Sequence, residues 1–315
     1  MTFPAPDHDV SSWHALVARL RRRPDYLALR RTIRATKRIL PNLIRRATHQ
    51  YRQLPAAVIV GAQKAGTTQL FTCLIRHPRC FGSVAKELQY FSKRRDRPLS
   101  WYRSKFPLTR TVARVGGLCF EATPSYLPTP QALRMMSVVL PDAKVIVLLR
   151  DPVSRAFSHY QHNKTRQLET REFREIVEDA IARPPFAPTR GAALQADAEP
   201  MLDYVARGYY ALQIELLLKL YPRERVLVVD SADLFDDTNA VCQRVFEFFG
   251  LEPHPVPPKK IHNRGYYREQ IEPTTSQLLR DHYRAHDQLL VELLGRRFRW
   301  MDASDESAGS QPAAA

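Results

Sequence analysis

Residues 58–71 read VIVGAQKAGTTQLF: an apolar run, a glycine, then Gln63-Lys64-Ala65-Gly66-Thr67-Thr68 ahead of a helical pattern. A strand, a glycine-bearing loop and a helix in that order form a device for holding an anion. Gly66 permits close backbone approach, and the first-turn amides and the helix dipole attract negative charge. Lys64 adds a point charge and the two threonines add hydroxyl donors. The loop is therefore expected to cradle a phosphate. It departs from G-x-x-x-x-G-K-[ST], in which lysine follows the second glycine. Here Thr67 follows Gly66 and the lysine lies two places before it, which argues against a nucleotide kinase.

Three other segments carry charge at useful places. In VIVLLRDPVSRAFSHYQH, residues 145–162, Arg150 ends an apolar strand and Ser158 lies on the helix after it. A guanidinium fork and a short hydroxyl near a strand's carboxyl end suit a phosphomonoester. KKIHNRGYY, residues 259–267, is a late basic loop containing Arg264, Gly265 and Tyr266, and CFGSVAKELQYFS, residues 80–92, sets Lys86 beside Glu87. A carboxylate there can take a proton, and its bland alternative is an exposed ion pair. His159 and His162 are a second source of a base or an acceptor contact, or else polar fillers, and they rank behind Glu87.

The elements that must position these residues can be read from the apolar pattern. Short apolar runs at 56–60 (AAVIV), 144–151 (KVIVLLRD) and 225–230 (RVLVVD) alternate with helical stretches. One such stretch carries Leu70, Phe71, Leu74 and Ile75 and stops before Pro78. Another carries Val241, Val245, Phe248 and Phe249 and stops at Gly250. Continuous apolar strands separated by helices predict an α/β fold: a single P-loop-like domain with a mostly parallel central sheet flanked by helices, preceded by a basic helical N-terminal arm. The expected division is 1–54 for the arm, 55–300 for the domain and 301–315 for a disordered tail. Residues 183–200, rich in Pro and Ala, read as a surface loop or lid.

The displaced lysine in Q-K-x-G-T-T resembles the 5′-phosphosulfate loop of the sulfotransferases. The strand–Arg–helix–Ser segment resembles that superfamily's 3′-phosphate site, and the Arg-Gly-Tyr loop resembles its late loop closing over the nucleotide. The three motifs occur in the right order over residues 55–300. The resemblance implies 3′-phosphoadenosine 5′-phosphosulfate as sulfonate donor, held by Gln63, Lys64, Ala65, Gly66, Thr67, Thr68, Arg150, Ser158, Arg264, Gly265 and Tyr266. Residues 80–92 resemble the K-E-x-x-x-F segment of the heparan-sulfate branch. This implies Glu87 as catalytic base, with Lys86 orienting oxygens and Lys64 neutralising the departing phosphate. FEATPSYL, residues 120–127, resembles that branch's E-K-[ST]-P-x-Y stretch, except that Ala122 stands where lysine is common. Glu121, Thr123 and Tyr126 are structural or functional on this reading. The implied acceptor is a hydroxyl or amine, with a carbohydrate favoured. A lipid head group, a tyrosine peptide and a polyketide intermediate remain open.

The rest of the sequence bounds these readings. The chain has 315 residues, with 44% hydrophobic residues, enough for a real core and unlike a disordered tail protein. Lys and Arg number 48 against 32 Asp and Glu, a net charge of +16 that favours an anionic partner. Residues 1–55 hold twelve of the cations and three Asp, with Leu and Ile at roughly helical spacing. This arm either packs on the domain or makes peripheral contact with an anionic membrane or polyanion. Four cysteines without C-x-x-C spacing point away from zinc and from a disulfide framework, and no metal is expected. No signal-peptide or membrane-spanning pattern is present, so a cytoplasmic location is expected. Two rivals remain: a P-loop-like nucleotide-dependent kinase, which lacks a clear Mg²⁺ carboxylate, and a basic nucleic-acid-binding protein, which lacks any helix-turn-helix, RNP or zinc signature.

Overall fold

The apolar runs form strands whose two faces are both covered. The structure, a computed structural model, describes residues 40–182, 203–257 and 269–302. Five strands, β1 (Ala57–Gly61), β2 (Cys80–Gly82), β3 (Leu118–Ala122), β4 (Lys144–Leu149) and β5 (Val226–Asp230), make one sheet in the order β2-β3-β1-β4-β5. Every pairing is parallel. All residues of β1 and β3 are buried, as a strand sandwiched between helical layers requires. Neither β2 nor β3 was among the expected strands. β2 has only three residues, and β3 carries the charged Glu121 within its apolar run.

Among the described helices that pack around this sheet or against one another are α1 (Thr67–Leu74), α2 (Pro130–Val139), α3 (Pro152–Lys164), α4 (Tyr210–Leu220), α5 (Thr238–Phe249) and α6 (Pro273–Leu294). The chain steps from β1 outward to β2, then returns through β3 and β4 to β5. Right-handed crossovers therefore put α1 on one face and α2 and α4 on the other. The packing agrees, since α1 contacts α5 while α4 contacts α2 and α6. Leu70, Phe71 and Leu74 of α1 are buried as the periodicity predicts, whereas Ile75 lies past the last helical residue and is exposed. On α5, Phe246 takes the core position expected of Phe248.

Local chemistry sets where the helices start. Pro130 and Pro152 occupy first helical positions, where a missing N–H costs nothing. Asp151 caps α3 by accepting from the N–H groups of Val153 (3.2 Å) and Ser154 (3.3 Å). The sheet order reverses direction at β1, between β3 and β4. A crevice thus opens at the carboxyl ends of these strands, the place where open α/β sheets take ligands.

Contacts divide the chain into two units, 1–50 and 51–315. In the first, residues 40–47 are helical. The remainder of the basic arm, the 183–200 loop and residues 303–315 of the tail lie outside the described residues. No described helix is long and apolar enough to cross a membrane.

Candidate active site

The loop between β1 and α1 wraps the carboxyl end of the central strand, and two glycines let it do so. A Cβ on Gly61 would stand 2.6 Å from Leu127 Cβ, so the segment after β3 can cross the end of β1 only over a glycine. Gly66 caps α1 in the left-handed region, at φ 93°, and a Cβ there would meet Leu234 Cδ2 at 3.0 Å. The first helical hydrogen bond of α1 runs from Leu70 N–H to Gly66 O at 3.1 Å, so the amides of 67–69 precede the ladder. Lys64 adopts a left-handed conformation, at φ 71°. Its carbonyl accepts from Arg150 Nη1 at 3.0 Å, which ties the end of β4 to the loop. Tyr210 of α4 in turn donates its hydroxyl to Arg150 O at 2.9 Å.

These residues border an open cleft of about 490 Å³. Gln63, Lys64, Gly66, Thr67 and Thr68 form one wall, and Arg150 and Ser158 come from β4 and α3. Lys86 and Glu87 come from the loop after β2, and His159 and His162 project from α3. Six cations, Lys64, Lys86, Lys93, Arg150, Arg166 and Arg207, face a single carboxylate, Glu87, among the described lining residues. Burial, then the like charges of Arg150 and Arg166, depresses the pKa of Lys64, with Glu87 opposing. Such crowding is relieved by a bound anion. Ala65 is the exception among the loop residues: it is fully buried, does not line the cleft, and its N–H donates to Ala62 O at 3.2 Å. Arg264, Gly265 and Tyr266 lie outside the described residues.

Glu87 pairs with Lys86 Nζ at 2.8 Å while its own side chain stays 48% exposed. The two histidines sit differently. Burial, together with the charges of Arg155, Arg207 and Lys64, pushes His159 down to about 2, and its buried Nδ1 has no hydrogen-bond partner among the described residues. Burial and the charges of Lys64 and Arg166 lower His162 as well. A conjugate acid that strong makes His159 a poor proton acceptor. Glu121, Thr123 and Tyr126 do not line the cleft. They lie behind it, buried and bonded to one another. Ala122, where the resembled pattern has lysine, is fully buried, and its carbonyl accepts from Glu87 N–H at 2.9 Å.

Sequence reasoning missed several lining groups. Arg207, 7% exposed, donates to Gln63 Oε1 at 2.9 Å, yet it stands alone in VARGYY with no spacing to mark it. Phe235 reaches the loop from the short helix Ser231–Asp236 after β5. Lys93 opens the basic run KRRDR, a signal that was present in the sequence. Among the described residues no cluster of His, Cys, Asp and Glu could hold a metal ion.

Comparison with known proteins adds to this geometry. A profile described as the sulfotransferase domain matches residues 54–287. The chain is 30% identical over 272 residues to heparan sulfate glucosamine 3-O-sulfotransferase 3B1 of Mus musculus, covering 79% of this chain and 65% of that protein. It is 30% identical over 208 residues to bifunctional heparan sulfate N-deacetylase/N-sulfotransferase 3 of Homo sapiens, covering 64% and 23%. The chain thus spans less than two thirds of these relatives. The crystal structure of a sulfotransferase from Alicyclobacillus acidocaldarius matches with a TM-score of 0.61 at 27% identity, covering 79% of this chain and 99% of that one.

Proposed function

The chain belongs to the sulfotransferase domain family, and from that premise we propose that it transfers the sulfonate group of 3′-phosphoadenosine 5′-phosphosulfate to a hydroxyl or amine of a carbohydrate. The observation that carries this reading is the meeting of Lys64, Arg150, Ser158 and Glu87 at one cleft, although they come from three separate segments of the chain. The residues fit the donor. A glycine-floored loop at a helix N-terminus offers amides, with two hydroxyls and a crowded lysine beside them, for a 5′-phosphosulfate. Arg150 and Ser158 offer a fork and a hydroxyl for a 3′-phosphate. Arg264, Gly265 and Tyr266 would complete that side. The bound donor supplies the sulfonate group. The chain's own part is to hold it and to handle charge and protons: Lys64 neutralises negative charge that develops on the 5′-phosphate side, and Lys86 orients oxygens. Glu87 takes the acceptor's proton, because a neutral alcohol is a poor nucleophile. The mechanism asks for no metal. The carbohydrate acceptor rests on the two heparan sulfate relatives, and an unsulfated glucosamine-containing oligosaccharide is the first acceptor to try.

Titration calorimetry tests the donor. Adenosine 3′,5′-bisphosphate should bind and, at a concentration about 100 times its Kd, stabilise the fold by about 2.7 kcal/mol. Binding of ATP with Mg²⁺ in its place would favour a kinase. Arg150→Ala should weaken the bisphosphate far more than 5′-AMP, since only the former carries a 3′-phosphate. Equal losses would remove Arg150 from that role.

A further inference from the structure

Glu87 and Gln89 both adopt left-handed backbone conformations, at φ 61° and 54°, which only glycine adopts without cost. Two such residues in three persist only when their surroundings over-determine them. Glu87 N–H is held by Ala122 O at 2.9 Å. Beyond it the backbone is held by side-chain hydroxyls. Gln89 N–H donates to Thr123 Oγ1 at 3.4 Å, Tyr90 N–H to Tyr126 Oη at 2.8 Å, and Phe91 N–H to the same oxygen at 3.4 Å. A hydroxyl has one proton, and it serves reliably as an acceptor only if that proton is committed elsewhere. Both hydroxyls commit theirs to Glu121: Thr123 Oγ1 donates to Oε2 at 2.9 Å and Tyr126 Oη to Oε1 at 3.3 Å. Tyr102 donates a third hydroxyl to Oε1.

We propose that Glu121, Thr123 and Tyr126 are positioning residues for Glu87: the buried carboxylate orients two hydroxyls, and their lone pairs fix the 87–91 backbone so that Glu87 stands at the cleft wall. The proposal rests on the reading of Glu87 as proton acceptor. Glu121 is fully buried and forms no ion pair with a cation among the described residues. Burial pushes its pKa up to about 7, against the pull of the three hydroxyls. A buried carboxylate without a counter-ion is costly, and core filling does not explain it. Its three bonds account for it, and two of the three lead to the segment that carries Glu87. Tyr102, the third donor, does not bond that backbone. Its ring instead stacks on Tyr90, with centroids 4.4 Å apart.

This difference supplies the test. Tyr126→Phe and Tyr102→Phe each delete one hydroxyl donor to Glu121, but only the first releases backbone amides of the 87–91 segment, those of Tyr90 and Phe91. The two variants are compared by hydrogen-exchange mass spectrometry of the peptide spanning 85–95, by bisphosphate calorimetry, and by single-turnover transfer to the oligosaccharide acceptor, with Glu87→Gln alongside. In Tyr126→Phe, exchange should rise roughly tenfold, the loss of about one hydrogen bond. Turnover should fall by about as much while bisphosphate affinity stays unchanged. Tyr102→Phe should leave exchange and turnover near normal. Glu121→Gln, which puts an amide donor where an acceptor was, should behave like Tyr126→Phe. If it does not fold, the tyrosine pair still decides the matter. Equal effects in the two tyrosine variants, or unchanged exchange in Tyr126→Phe, overturn the proposal and leave the proton-acceptor reading standing. Near-normal turnover in Glu87→Gln removes that reading instead, and with it the catalytic half of the proposal.

Discussion

Glu87 and Lys64 face one cleft but carry opposite charges, so their variants should separate proton transfer from anion binding. Glu87→Gln keeps the shape and removes the carboxylate. Turnover should fall by roughly 10²–10⁴, while adenosine 3′,5′-bisphosphate binds as well as before or slightly better, because a negative charge has left the cleft. Lys64→Ala should damage both binding and turnover, since its charge meets the donor in the ground state and the transition state alike. Calorimetry and single-turnover rates on the two variants check this. Normal turnover in Glu87→Gln would move suspicion to His162, because His159, held near 2, is too weak a base.

At the scale of elements, the β1–α1 loop depends on a backbone conformation that side chains resist. Gly66→Ala puts a Cβ at φ 93° and at 3.0 Å from Leu234, so the loop must shift. Stability should drop by about 1–3 kcal/mol, and bisphosphate affinity should fall with it, since the amides lose their aim. Denaturant melts with and without the bisphosphate measure both. The basic arm is a separate matter, because its charge precedes every nucleotide motif. Arg52 belongs to the domain: it is 8% exposed, and its Nη1 donates to Phe106 O at 2.8 Å. A chain beginning at Tyr51 should therefore keep its bisphosphate affinity and lose only association with anionic vesicles or polyanions. Failure of that chain to fold would show that the arm completes the core.

For the whole molecule, a buried histidine couples folding to pH. His286 lies on α6, stacked on Tyr209 at 4.2 Å, and burial lowers its pKa from 6.5 to about 4. The folded-state value is depressed, so stability from the neutral ring is fully present above pH 6.5. It is lost as pH falls toward 4, where the unfolded chain takes up a proton that the folded one refuses. The loss reaches at most about 3 kcal/mol. Glu121 and Asp287 are raised to about 7 and shift stability the other way over part of that range, so the wild-type profile alone will not isolate the effect. His286→Phe keeps the stack and removes the proton. Its stability relative to wild type should rise as pH falls from 6.5 to 4, and a flat difference would show that His286 titrates normally.

The spacing of residues sufficed for the parallel α/β fold and for the strand–loop–helix order that brings the 63–68 loop, Arg150 and Ser158 to one cleft. Such signals are local: a turn needs its glycine next to its lysine, and a buried strand needs consecutive apolar residues. The sequence also singled out Glu87, by its flanking lysine and the pattern it resembles. What only the tertiary structure decided is which distant residues meet. Arg207 reaches Gln63 across 144 positions, and nothing near Arg207 in the chain records that contact. Glu121, Thr123 and Tyr126, open between structure and function in the sequence, lie behind the cleft, where Thr123 and Tyr126 accept from the N–H groups of Gln89, Tyr90 and Phe91 and donate to Glu121. Periodicity reports which side of an element is buried. It does not report which hydroxyl's lone pair a neighbouring loop will use, because that depends on the packing of the turn after β3 against a segment 35 and 36 positions earlier in the chain.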